Sequence, residues 1–409
     1  MTERLHERYR DVRERTRRIF GLIEPEAFDM QPIPLRHPIR FYEGHLASFN
    51  LGMLLQSGFV QNDSKPELTT LFARGIDPLD KSAADKFTIE RWPDRALVAD
   101  YIAHVESEMS RAFAAEIDPI YLHTAVEHEE MHQETLMYLI HQLPHDFKRR
   151  SPDARDYAAE TLSPASWVKI EAGVVQLGAD PKTVPFGWDN EFPPTRSEVK
   201  AAEIASRKVS NGDFLEFVDA GGYKNEKLWS DRGWRFIQEG KISRPPFWRR
   251  NNGDWQYQGL FESIQLPLDW PAYVSHIEAS AFTRWRGCRL PTEAEWHRAS
   301  ETAPAPQPER DNFDFVAWNP SPVSGRNGNL FQLAGNGWEW TSVPFAGFPG
   351  FKPFPHYPGY SADFFDGRHF VLKGASPVTP APLVRPSFRN WFQDHYRYAY
   401  TAFRCARDL

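Results

Sequence analysis

The sequence predicts an α+β protein with a helical bundle followed by an irregular, aromatic-rich β domain. From residue 3 to about 160, apolar residues recur at three- and four-residue spacing, the period of an α-helix. Beyond that point, short strand-like segments alternate with Gly, Pro, Asn and Asp. Most of the 14 Trp and 34 Pro residues lie in this second half. We therefore expect one domain at 1–163 and a second at 164–409.

The first domain is predicted to contain four principal helices. Proline, asparagine and aspartate residues separate the four periodic segments, which are 4–20, 45–59, 95–115 and 120–143. Antiparallel packing as a bundle is the natural arrangement for such helices. It allows side chains from facing helices to form a site in the interior.

Composition narrows the classes of function. The net charge is -7 and the pI about 6.1, so the chain lacks the basic excess of a nucleic-acid-binding protein. No stretch approaches the roughly 20 apolar residues of a membrane span, and the N-terminus lacks the apolar core of a signal peptide. We expect a cytoplasmic enzyme with small-molecule substrates. Two cysteines, Cys288 and Cys405, are too few for a disulfide framework.

The segment HEEMHQET contains His-Glu-x-x-His, a metal-binding pattern of many metalloproteases. Because residues four apart share a helix face, His128 and His132 can bind one ion. One protease class would continue with Gly and His at positions occupied by Thr135 and Tyr138. Another protease class uses a glutamate from a following helix as the third metal ligand, but after Glu134 the next glutamate in the sequence is Glu160. The sequence therefore argues against a peptidase.

An upstream histidine is needed to complete a metal site. His45 follows Gly44 at the start of an apolar helix, so its ring can enter the bundle. His37 is the competitor, although Pro38 biases it toward an extended conformation. Three histidines leave open positions for substrate and dioxygen on iron. A neutral all-histidine set also suits zinc, and the spacing does not separate the two metals.

Motifs along nearly the whole chain resemble a known family. GHLASFN and EHEEMHQET resemble the DinB-like domain of ergothioneine-biosynthetic sulfoxide synthases, and the second half resembles the formylglycine-generating-enzyme (sulfatase-modifying-factor) domain fused to it. The second-half motifs are FGWDNEFP at 186–193, VSNGDFLEFVDAGGY at 209–223, RLPTEAEWHRA at 289–299, GNGWEWT at 335–341 and FRNWFQDHYRYAYTAFR at 388–404. The resemblance implies a DinB-like four-helix bundle followed by a C-type-lectin-like domain.

The resemblance also implies a reaction. His45, His128 and His132 would bind iron(II), which with dioxygen joins a cysteine-type thiol to imidazole C2 of Nα-trimethylhistidine (hercynine) and gives a sulfoxide. Asn390 and Trp391 would bind hercynine, since Trp391 can offer its aromatic face to the quaternary ammonium. Arginine suits the carboxylate or sugar of the second substrate. Its candidates are Arg74, Arg385, Arg389 and Arg397.

The sequence departs from the family where one subgroup has a catalytic tyrosine. After the WEWT motif, Phe345 and Phe348 stand where tyrosines are expected, and phenylalanine has no phenolic proton. Phe345 remains a candidate for the substrate site, and the proton donor is unassigned. The nearby candidates are Tyr396, Tyr398 and Tyr400. The segments LRHPIRFY, LFARGIDP and PHYPGYSADFFDG resemble a second branch that includes fungal-type synthases.

Three alternatives remain open. The related selenoneine synthases attach a selenosugar to hercynine, and the missing tyrosines keep this activity in consideration. Formylglycine-generating enzymes use copper held by two cysteines, but neither Cys288 nor Cys405 lies in a motif for that role. A metal-binding bundle fused to a lectin-like domain could also act as a non-catalytic sensor or scaffold.

Overall fold

The computed structural model describes residues 2–73, 92–155, 162, 164–323 and 330–409. Helices and strands are both present, so the mixed helix-and-sheet character predicted from the sequence is confirmed. The chain forms two compact units, residues 1–151 and 152–409, called here unit 1 and unit 2. The predicted domain boundary, at residue 163, lies outside the described residues. None of the described helices combines the length and apolar character that crossing a membrane requires.

Within residues 2–73 and 92–151, the regular structure of unit 1 is helical. Its helices are α1 (Thr2–Phe20), α2 (Ile39–Gln56), α3 (Pro66–Phe72), α4 (Arg95–Phe113) and α5 (Pro119–Gln142). The four predicted helices correspond to α1, α2, α4 and α5. Helix α3 was not predicted, because seven residues are too short to show a helical period.

Helix ends in unit 1 follow ordinary capping chemistry. Asp94 accepts a hydrogen bond from the backbone N–H of Ala96 at the start of α4, and Asp118 accepts one from Ile120 at the start of α5. Each carboxylate satisfies a backbone donor that lacks a partner within its helix. These caps fix where the two helices begin.

Helix α5 is buried along most of its length although it is rich in charged residues. Arg13 on α1 donates to Glu129 at 2.7 Å, and Thr16 donates to the same carboxylate at 2.6 Å. The side chain of Gln133 donates to the carbonyl of Val12 at 2.8 Å. Helix α1 therefore holds one face of α5, which leaves the other face for α2.

Unit 2 contains small sheets and short helices. Its strands are β1 (Trp167–Ile170), β2 (Gly173–Leu177), β3 (Thr195–Val199), β4 (Ala202–Ala205), β5 (Trp248–Asn251), β6 (Asp254–Gln258), β7 (Ser263–Gln265), β8 (Trp338–Pro344), β9 (His369–Lys373), β10 (Asn390–Gln393), β11 (Thr401–Ala402) and β12 (Ala406–Asp408). Its α-helices are α6 (Asn211–Asp219), α7 (Asp231–Glu239), α8 (His276–Arg286), α9 (Glu293–Ser300) and α10 (Pro308–Asp311).

The strands of the described residues form sheets of order β1-β4-β12, β10-β9-β8-β11, β2-β3 and β5-β6-β7. In the second of these, β9 and β10 are antiparallel, with Trp391 opposite Val371 and Gln393 opposite His369. Directly paired residues, and residues two apart on one strand, point to the same face of a sheet. Trp391 and His369 therefore share one face.

A buried ion cluster supports this sheet. Glu339 on β8 lies 2.7 Å from the Lys208 ammonium and 2.6 Å from the Arg404 guanidinium. All three side chains are fully buried. Because two cations share one carboxylate, the cluster depends on Glu339.

We predict that Glu339→Gln lowers the free energy of unfolding of unit 2 by about 3–5 kcal/mol, because it leaves buried cations without their counter-charge. Urea unfolding followed by tryptophan fluorescence measures the change. The control is Glu216→Gln, which breaks an exposed pair with Arg286 and should cost about 1 kcal/mol or less. Equal losses in the two variants would contradict a supporting role for the cluster.

Candidate functional site

Three buried histidines from two helices converge in unit 1. The Nε2 atom of His132 lies 3.2 Å from Nε2 of His45 and 3.1 Å from Nε2 of His128. Ligand atoms of all three lie within 4.8 Å of one another. The four-residue spacing on α5 places His128 and His132 on the face toward α2, as the sequence predicts. The competing residue, His37, stacks on Phe41 at 4.0 Å and is not one of the converging histidines.

The protonation of these rings follows from their surroundings. Burial lowers the pKa of His45 to about 4 and holds the pKa of His128 and of His132 well below the ordinary value. The rings are therefore neutral at neutral pH. Nδ1 of His45 lies 2.7 Å from the carbonyl oxygen of Phe72. That nitrogen must donate, so Nε2 of His45 carries the lone pair.

The donor set fits a metal ion. Neutral imidazoles whose Nε2 atoms meet at hydrogen-bond distance cannot all satisfy one another, because each ring has only one N–H. A divalent cation accepts all three lone pairs at once. Imidazole nitrogen is a preferred ligand for iron and for zinc. His45, His128 and His132 can therefore hold such an ion.

Gly44 explains how His45 reaches its hydrogen-bond partner. A Cβ atom at Gly44 would lie 2.4 Å from the ring of Phe72, so a larger residue would push α3 away from α2. The close approach brings the carbonyl of Phe72 to His45. The Gly-His pair seen in the sequence is thus a structural requirement of the histidine cluster.

Aromatic rings fix the other imidazoles. Phe49 stacks on His128 with ring centroids 3.4 Å apart and planes within 6°. Tyr42 lies beside His132, with centroids 5.9 Å apart. Because neighbouring groups that restrict ring rotation pre-orient metal ligands, these contacts hold the cluster in a binding geometry.

The glutamate of His-Glu-x-x-His has a structural partner. In a metalloprotease this residue is the general base beside the metal. Here it is Glu129, whose Oε1 accepts from Arg13 and Thr16 on α1. The carboxylate is committed to helix packing on the opposite side of α5, which agrees with the sequence argument against a peptidase.

A second candidate group surrounds Trp391 in unit 2. Phe345 stacks on Trp391 with centroids 4.3 Å apart and planes within 8°. Tyr360 meets the Trp391 ring edge-on at 5.3 Å, and Phe364 lies 5.5 Å away. Trp391 itself is only partly buried. Asn390 uses Oδ1 to accept the backbone N–H of Trp391 at 2.8 Å.

Tyr360 and Phe364 were not predicted as site residues. Both lie in PHYPGYSADFFDG, a segment whose aromatic density is the sequence signal that indicates them. Tyr360 also stacks on the buried Trp188 at 3.9 Å, which anchors the segment. Ser361 strengthens the anchor by donating to Asp189 at 2.6 Å.

The remaining predicted residues have other surroundings. Phe345 and Phe348 are both buried. Tyr396 stacks on Phe392, whose side chain faces the opposite side of β10 from Trp391. Tyr398 lies beside Tyr396 at 5.4 Å. Tyr400 packs against Tyr273 at 5.6 Å and Phe247 at 6.1 Å.

The arginines predicted for the second substrate are bonded to buried carboxylates. The pairs are Arg385 with Glu191, Arg389 with Glu293 and Arg397 with Glu278, at shortest distances of 2.5, 2.9 and 3.0 Å. In the structure these three guanidinium groups hold loops and helices of unit 2 together. The fourth candidate, Arg74, lies outside the described residues.

Arg389 also shapes the aromatic group. Its guanidinium carbon lies 5.2 Å from the ring centroid of Phe345 and 4.3 Å from that of Phe348. It donates to the carbonyl of Ala346 at 2.8 Å. Arg389 therefore fixes the ring of Phe345 against Trp391.

Comparison with known proteins assigns the second part of the chain to a known domain family. Residues 154–321 and 317–409 match the sulfatase-modifying factor enzyme 1-like domain family. The chain is 30% identical to hercynine oxygenase of Mycobacterium tuberculosis, covering 92% of both proteins, and 30% identical to that of Mycolicibacterium smegmatis, covering 97% of both. It is 27% identical to ergothioneine biosynthesis protein 1 of Neurospora crassa, covering 93% of this chain and 55% of that protein.

We predict that His128→Ala abolishes stoichiometric metal binding, because it removes a ligand from a three-histidine set. After anaerobic loading with iron(II) or zinc(II) and desalting, mass spectrometry of the metal should find about one ion per chain in the unaltered protein and almost none in the variant. His104→Ala, outside the cluster, is the control and should retain the metal. Full metal content in His128→Ala would show that the ligand assignment is wrong.

Proposed function

This chain belongs to the hercynine oxygenase family and contains its sulfatase-modifying factor enzyme 1-like domain, and we propose that it is the iron(II)- and dioxygen-dependent enzyme that joins sulfur to hercynine in ergothioneine biosynthesis. The substrates are hercynine, a cysteine-type thiol and dioxygen. The product is a sulfoxide with sulfur on imidazole C2. The observation that carries the proposal is the convergence of three neutral, buried imidazoles.

We assign the metal to His45, His128 and His132. Iron(II) in this set would supply the redox chemistry with dioxygen and favour the thiolate form of the sulfur substrate. The names of the relatives support iron over zinc at this site, because a metal that takes part in an oxygenase reaction must exchange electrons and zinc has no redox chemistry. The protein keeps the rings neutral by burial and orients them through Phe72, Phe49 and Tyr42.

We further assign unit 1 to the DinB-like bundles and unit 2 to the C-type-lectin-like domains. Four long helices, with the histidines on α2 and α5, support the first assignment. The family match over residues 154–409 supports the second.

Hercynine carries a quaternary ammonium group, which has no N–H and cannot donate a hydrogen bond. Aromatic faces bind such cations through their π electrons. Trp391, Tyr360 and Phe364 present three rings in one cluster, and Asn390 holds the backbone at Trp391 by accepting its N–H. We therefore assign the ammonium group to Trp391 and its neighbours. Arg74 remains the arginine candidate for the second substrate, since the other three are paired with carboxylates.

We predict that Trp391→Leu weakens hercynine binding about 2- to 30-fold, because it removes a cation–π contact of about 0.5–2 kcal/mol. Calorimetric titration of hercynine into the iron(II)-loaded protein without dioxygen measures the dissociation constant. Trp255→Leu in β6 removes another partly buried tryptophan and should leave the constant unchanged. Equal affinities for all three proteins would contradict the assignment of Trp391.

The donor atom is tested by the mass of the product. Iron(II)-loaded protein receives hercynine and dioxygen with cysteine, γ-glutamylcysteine and a selenosugar in competition. We expect a sulfur adduct of hercynine with one additional oxygen. Selenium's isotope pattern in the adduct would instead establish selenoneine formation, with Phe345 and Phe348 in place of tyrosines. Metal binding without any adduct or dioxygen consumption would overturn the enzyme proposal in favour of a sensor or scaffold.

A further inference from the structure

A histidine–aspartate pair lies on the same face of the sheet as Trp391. His369, at the start of β9, is the diagonal cross-strand neighbour of Trp391, because Trp391 pairs with Val371 and Gln393 pairs with His369. Such diagonal neighbours are about 7–8 Å apart. Phe364 connects the two residues, with its ring 5.3 Å from that of His369 and 5.5 Å from that of Trp391.

Asp366 fixes the orientation of this imidazole. Its Oδ1 lies 2.9 Å from Nδ1 of His369 and accepts the backbone N–H of Arg368 at 2.8 Å. Partial burial raises the pKa of Asp366, but the hydrogen bonds from His369 and Arg368 outweigh it and hold the pKa below the ordinary value. An ionised carboxylate only accepts hydrogen bonds, so Nδ1 is the donor. Nε2 is the other ring nitrogen, and it donates to a ligand carboxylate when it also carries a proton.

The chemistry of hercynine requires a second contact beside the aromatic group. Its quaternary nitrogen and its carboxylate are attached to the same carbon, so a cation held at Trp391 places the carboxylate only a few ångströms away. An aromatic surface gives a carboxylate no hydrogen bond, and a bound anion needs a donor. Arg385, Arg389 and Arg397 already serve buried protein carboxylates.

We propose that His369, positioned by Asp366, binds the carboxylate of hercynine through Nε2–H. The ring then bridges two carboxylates, that of Asp366 at Nδ1 and that of the substrate at Nε2. Trp391 with Phe364 selects the trimethylammonium group, and His369 selects a betaine that carries a carboxylate. This inference rests on the proposed function and extends it to the recognition of one functional group of the substrate.

The test compares two ligands on the full chain loaded with iron(II) without dioxygen. One is hercynine, and the other is its decarboxylated analogue, N,N,N-trimethylhistaminium. His369→Gln should raise the dissociation constant for hercynine about tenfold or more, the range of a charge-assisted hydrogen bond, and leave that for the analogue unchanged. Trp391→Leu should weaken both ligands. Calorimetry measures all the constants.

Two further variants keep the test decisive. Asp366→Asn, at a partly exposed position, leaves the imidazole in place but removes its charged anchor, and should weaken hercynine selectively by a smaller factor. His395→Gln breaks a similar contact with Asp394, at 3.1 Å, and should change neither constant. Thermal unfolding of each variant shows that it is folded.

The outcomes separate the inference from the proposed function. If His369→Gln, folded, binds hercynine as tightly as the unaltered chain, or loses equal affinity for both ligands, His369 does not bind the carboxylate. If the unaltered chain binds neither ligand, the proposed function fails, and the inference fails with it.

Discussion

The convergence of three uncharged imidazoles inside unit 1 is the constraint on which the rest of that unit depends. Removing the rings from water makes protonation costly, so they present lone pairs instead of positive charges. Helix α5, which carries His128 and His132, also carries several glutamates. Burial of these carboxylates would destabilise the fold if they were unpaired. Arg8 pairs with Glu127 and Glu130, and Arg13 pairs with Glu129. Helix α1 thus neutralises one face of α5 so that the other face can remain neutral and bind metal.

The candidate site of unit 2 is built from loops and short strands, whereas the histidine cluster of unit 1 lies on long helices. Buried ion pairs tie these loops together, and Arg389 with Glu293 is the one beside the aromatic group. Replacing buried pairs by apolar groups is often neutral for stability, so their value here lies in fixing one arrangement. Arg389 stacks over Phe345, which in turn stacks on Trp391. The position of the tryptophan ring is set by this chain of contacts.

Local patterns in the sequence predicted the elements that depend on local interactions. Long helices show their period, and the spacing of His128 and His132 follows from helix geometry alone. Long-range pairing was not visible: the carboxylate partners of Arg385 and Arg389 lie 194 and 96 residues away. For that reason the sequence alone could not show that these arginines are paired with carboxylates in the folded chain. The neighbourhood of His369 and Trp391 likewise arises only when β9 pairs with β10.

We propose that this protein uses dioxygen to couple hercynine to a thiol. Hercynine, a thiol and one dioxygen molecule balance to a sulfoxide adduct and one water. The most direct measurement is therefore dioxygen uptake by the iron(II)-loaded protein, with hercynine consumption followed in the same sample. We expect rapid uptake only when both substrates are present, with one dioxygen consumed per hercynine. Uptake that proceeds equally without hercynine, or that leaves hercynine unconsumed, would contradict it.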